Sequence, residues 1–99
     1  MAGSVKTPRD YTFKYQGKNP LEKLRPNEPY FFLRAQDKLS TDAVMGYANL
    51  LKEASERAYC AGDERLSNDL LKQALGVLRV VGVFATWQSD HPGFVKLPD

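Results

Sequence analysis

The stretch 66–87, LSNDLLKQALGVLRVVGVFATW, decides the fold. Leu66, Leu70, Ala74, Val77, Val81 and Phe84 recur at three- and four-residue intervals, the spacing of one face of an α-helix. Leu71, Leu75, Leu78 and Ala85 make a second apolar stripe beside the first. Asp63 or Ser67 offers a side-chain oxygen to cap the start. The distal half is less helical in character. Gly76, Gly82 and the β-branched Val77, Val80, Val81 and Val83 all lower helix propensity. A strand over 79–86 is the alternative; helix is favoured because the spacing runs unbroken from Leu66.

Upstream lies a second amphipathic segment. Val44, Tyr47, Leu51, Ala54 and Ala58 form a single seam, with Asn49, Lys52, Glu53, Glu56 and Arg57 mostly opposite. Ser40, Thr41 and Asp42 are N-cap candidates, and Gly62 follows the expected end near Ala61. So short a linker predicts an antiparallel pair. One seam cannot cover two stripes, so the second stripe needs another cover. The N-terminal aromatics are one candidate and a further subunit is the other, which makes a homo-oligomer the expected state.

Residues 1–29 hold four of the six prolines, which leaves no room for a helix of useful length. Tyr11, Phe13 and Tyr15 alternate with polar residues, as in a short strand or an extended arm. Gly17 to Pro20 reads as a turn. The best strand candidate is 28–35, where Pro29 leads into Tyr30, Phe31, Phe32 and Leu33. Apolar groups fall on both faces of that stretch, so both faces are expected to meet protein. The predicted fold is mainly α. It is an antiparallel two-helix hairpin over 28–99, with an extended basic and aromatic arm over 1–27 and one short strand-like segment.

Ninety-nine residues with 42% apolar and 26% charged content describe one ordinary globular unit. A lone cysteine, Cys60, allows no internal disulfide and fits a reducing compartment. The N-terminus lacks an apolar signal core, and the apolar run 77–87 contains Arg79 and is short for a bilayer. A cytoplasmic protein without membrane partners is expected. The net charge of +2 divides into +4 over residues 1–38 and −2 over 39–99. The basic third could attract an anionic partner or simply be solvated.

Catalytic constellations are scarce. His91 is the only histidine, and with Cys60 it does not make a zinc site. The glycines do not cluster into a phosphate loop, and Glu53, Glu56, Asp63 and Glu64 read as helix-face or helix-start carboxylates. No catalytic residue, metal or cofactor is expected. The dense polar stretch 34–38 joins the strand candidate to the first helix. Arg34 offers a planar fork for phosphate or carboxylate, and Gln36 both donates and accepts. Arg34 and Asp37 could equally pair or brace the helix start. Basic residues among aromatics in the arm also suit single-stranded nucleic acid, but the charge is modest and no motif supports it.

The run Glu28-Pro29-Tyr30-Phe31-Phe32-Leu33-Arg34-Ala35-Gln36-Asp37 resembles a motif in small uncharacterised phage and prophage-associated proteins. Trp87, His91-Pro92 and the final Lys96-Leu97-Pro98-Asp99 resemble their C-termini, so the likeness spans about 28–99. It implies a helical second segment and a phage or prophage origin, and it supplies no activity. By analogy, small phage proteins counter host defences by sequestering a nucleotide signal or by plugging a host protein. The expected function is therefore sequestration of a nucleotide-like ligand in an oligomer. Arg34, Gln36 and Lys38 would line the pocket, with Tyr30 or Trp87 stacking on a base. The alternatives are a protein-binding inhibitor of a host complex and a virion accessory protein.

Overall fold

The structure is a computed structural model and describes residues 20–97. The alternating aromatics Tyr11, Phe13 and Tyr15, most of the basic arm, and the terminal Pro98-Asp99 lie outside the described residues. Two helices dominate: α1, Ser40–Cys60, and α2, Glu64–Asp90. Single 3₁₀ turns occupy Pro20–Lys23 and Pro92–Phe94.

The turn between the helices is built by local chemistry. Gly62 takes φ +86°, a left-handed conformation that costs a side chain about 1 kcal/mol or more. That reversal lets Gly62 N–H donate to Tyr59 O and Asp63 N–H donate to Ala58 O, satisfying the last carbonyls of α1. The Asp63 carboxylate then accepts from Leu66 N–H at 3.0 Å and caps α2. Of the two cap candidates it is therefore Asp63, and Ser67 is instead buried in the seam.

The two helices pack against each other as a helical hairpin. Beside the turn, the Ser55 hydroxyl donates to Ser67 O at 2.8 Å and lies 3.0 Å from Ser67 Oγ. At the far end, Gln88 reaches Ser40. Between them Ala48, Leu51, Ala74 and Val77 form the core, with Val44, Leu70 and Leu78 half-buried around it. The buried residues of α1 are Ser40, Ala48, Leu51, Ser55 and Ala58. The seam is thus turned slightly from the expected one: Ala48 and Ser55 take the places given to Tyr47 and Ala54. Helices this closely packed admit small side chains at the crossing and push a tyrosine to the edge, where Tyr47 lies exposed. With that phase α1 follows a seven-residue repeat, Val44-Ala48-Leu51-Ser55-Ala58, and α2 carries a matching one, Ser67-Leu70-Ala74-Val77-Val81-Phe84, with Gly76 and Val80 also buried beside it. Leu66, expected in the first stripe of α2, is exposed beside Ser67.

Residues 79–86 are helical, so the valines yield to the tertiary seam. The strand expected over 28–35 does not form. Arg25 and Glu28 close a turn through Asn27, which has φ +62°, and residues 29–34 have no regular structure. Nor do both faces meet protein within the described residues. Tyr30 is 59%, Phe31 86% and Phe32 51% exposed, and only Leu33 and Ala35 turn partly inward. An extended segment is stabilised by a paired neighbour. Among the described residues the one isolated bridge joins Asp37 to Lys96, beyond the aromatic run.

The expected second stripe of α2 stays largely uncovered. Leu71 is 44% and Leu75 59% exposed, Ala85 is exposed, and Leu78 is half-buried. The continuous helix also changes the reading of the apolar run as too short for a bilayer. An 18-residue window of α2 has a mean hydropathy of 1.3 with 22% of it buried, which is long and apolar enough to cross a membrane by composition. Against that stands Arg79 near its middle, which costs about 2.5–3.5 kcal/mol at a bilayer centre.

Candidate functional site

The polar stretch 34–40 is fastened to the far end of the hairpin. Gln88, one turn past Phe84 in the α2 seam, donates from Nε2 to Ala35 O at 2.8 Å, Asp37 O at 3.2 Å and Ser40 Oγ at 3.3 Å. The buried Ser40 hydroxyl is thus paired inside the first turn of α1 rather than capping it. Helix α1 begins at Ser40 and carries no side-chain cap bond at its own N-cap residue, Leu39. Asp37 does that work from further out. Its Oδ1 accepts from Leu39 N–H at 2.8 Å and its carbonyl accepts from Ser40 N–H at 3.0 Å. Of the two roles open to Asp37, bracing the helix start is the one observed.

The tail forms the other wall. Lys38 N–H donates to Lys96 O at 2.8 Å and Lys96 N–H to Gln36 O at 3.0 Å. Between Asp90 and Lys96 the chain folds back through a cluster of rings. Trp87 stacks on His91, with centroids 4.5 Å apart and planes 21° from parallel, and Phe94 stands 6.5 Å from Trp87. His91 Nδ1 lies 2.9 Å from Trp87 O, closing the end of α2. The one histidine is therefore part of a local structural cluster.

The five residues expected to bind ligand fall into three groups. Arg34 and Gln36 meet directly, with Arg34 Nη2 donating to Gln36 Oε1 at 3.1 Å. Gln36 and Lys38 are joined to the tail through their backbones, and the Lys38 side chain is exposed. Trp87 packs with His91 and Phe94, whereas Tyr30 meets Phe32 edge-on at 5.2 Å. The two proposed stacking rings thus belong to separate clusters. Among the described residues, no group of three His, Cys, Asp or Glu side chains could hold a metal ion.

Spacing alone does not mark Gln88 as the organiser of this junction. Its cue is a polar residue at the seam position seven residues after Val81, where an apolar one would continue the repeat. Comparison of the chain with family models, with curated proteins and with solved structures finds no match.

Proposed function

We propose that this chain is a water-soluble binding protein without catalytic activity, and that it engages a protein partner through the aromatic segment ahead of α1. The observation that carries this reading is the exposure of Tyr30, Phe31 and Phe32 in succession, with Leu39 exposed behind them. Aromatic anchors of this kind dominate the energetics of protein interfaces because they bury large area for little lost side-chain freedom. Arg25, Arg34 and Lys38 border the run, so the fitting partner has an apolar cleft with an acidic rim. The resemblance to phage-associated proteins makes a host complex the natural target, with inhibition of that complex as the outcome.

A second reading has its own support. The Arg34–Gln36–Lys38 turn supplies donors suited to a phosphate, and the Trp87 cluster supplies a ring at the same end of the hairpin. It would hold a nucleotide-like ligand and act by sequestration. One experiment separates the two. The full chain is captured from its native host with and without Phe31→Ser and Phe32→Ser, and heat-released small molecules are analysed by mass spectrometry. A stoichiometric protein lost in the variant supports the first reading. A released nucleotide, with the protein profile unchanged, favours the second.

A further inference from the structure

We infer that the uncovered face of α2 is the interface of a two-fold symmetric homodimer, formed by α2 packing antiparallel on α2 of a second copy about an axis at Leu78. The face consists of Leu71, Leu75, Leu78, Gly82 and Ala85, which share one side of the helix. Its large residues lie at one end and its small residues at the other. Antiparallel packing about Leu78 sets Leu71 against Ala85 of the second copy and Leu75 against Gly82. Each leucine then meets a position with room for it. Gly82 is otherwise unexplained. It lies exposed inside α2, and a side chain added there would meet nothing within 4 Å, as is also true of Gly46 inside α1. Glycine at such a site weakens the helix without any benefit to the isolated chain. A second helix approaching closely supplies the reason for it.

Charge complementarity on the neighbouring helix selects the same arrangement. In an antiparallel hairpin, the residues of α1 that flank the seam on the side of Leu71 and Leu78 are Met45, Lys52 and Tyr59, with Asp42, Asn49 and Glu56 next to them. The Ser55–Ser67 and Ser40–Gln88 contacts place Leu78 level with Tyr47. A two-fold axis at that level therefore brings Asp42 of each copy opposite Lys52 of the other, forming two symmetric ion pairs. Within one chain these two residues are about 15 Å apart along α1, too far to pair with each other. A second copy related by a two-fold axis parallel to the helices would instead lay Leu71 and Leu75 over the polar residues Asn49, Lys52 and Glu56. The partner is thus another copy of this chain, engaged on a face separate from the aromatic segment of the proposed function.

The test is the mass of the full chain by light scattering over a concentration series, with four variants. The wild type is expected at twice its 11.2 kDa. Leu75→Glu buries an unpaired charge, and Gly82→Gln fills the gap while improving helix propensity. Each is expected to weaken association about tenfold or more with helical content retained. Asp42→Lys and Lys52→Asp are each expected to weaken it about fivefold, and the double exchange to restore it. A monomer at every concentration overturns the inference. So does a dimer that is indifferent to Leu75→Glu and Gly82→Gln, or one that the double exchange fails to restore. Flotation with phosphatidylcholine–phosphatidylglycerol vesicles, abolished by Leu75→Glu, would assign the face to a bilayer and overturn it equally.

Discussion

Two polar residues, the buried Ser55 and the half-buried Gln88, decide how the hairpin closes at its two ends. The Ser55 hydroxyl donates to the Ser67 carbonyl and lies beside the Ser67 hydroxyl in a buried setting. Replacing Ser55 by alanine leaves the Ser67 hydroxyl without this partner and is expected to cost about 1–2 kcal/mol. Ser67→Ala should cost less, because Ser55 can still donate to the Ser67 carbonyl. Urea denaturation of the two variants checks the order, and the reverse order would contradict the assigned donor. Gln88 is more demanding, since one amide serves Ala35 O, Asp37 O and Ser40 Oγ. Gln88→Leu keeps the volume and removes all three contacts. The expected loss is about 2 kcal/mol, together with faster hydrogen exchange at the Leu39 and Ser40 amides.

At the scale of elements, the ends of the helices test the turn. Gly62→Ala forces a side chain into the left-handed region and is expected to destabilise by about 1 kcal/mol. Asp63→Ala removes the cap of α2 and is expected to cost a similar amount, about 1 kcal/mol, as a lower thermal midpoint. Gly62 was legible in the sequence as the glycine after a periodic run, and Asp63 as one of two cap candidates, the other being Ser67. The two helices were legible because apolar spacing survives the weak propensity of the valines. The phase of α1 was not. Hydrophobicity favoured Tyr47 over Ala48 and Ala54 over Ser55, whereas close packing favours the small Ala48 and a local hydrogen bond satisfies the Ser55 hydroxyl. The strand over 28–35 failed because β-like composition describes a preference that only a pairing neighbour can realise, and no described segment pairs there. Of the candidate site, the polar stretch 34–38 was visible as a junction. Its anchor Gln88 lay 51 residues beyond Asp37 and could not be connected to it by spacing.

At the scale of the molecule, the tail at 91–97 ties the start of α1 to the end of α2, so the far end of the hairpin is closed by three segments remote in sequence. Deleting residues 92–99 removes the Lys96 bridge to Gln36 and Lys38 and takes Phe94 away from Trp87. The central seam of Ala48, Leu51, Ala74 and Val77, with Val44, Leu70 and Leu78 around it, includes no residue of that tail. Helical content should therefore persist, while order at residues 34–40 falls. Trp87 is the single tryptophan, so its emission reports on this end alone. The truncated chain is expected to show a red-shifted emission and faster exchange at the Lys38 amide, with Ala74 and Val77 amides still protected. Loss of protection at Ala74 and Val77 as well would mean that the hairpin cannot hold its seam without the tail. The two-residue bridge would then belong to the core of the fold rather than to its functional end.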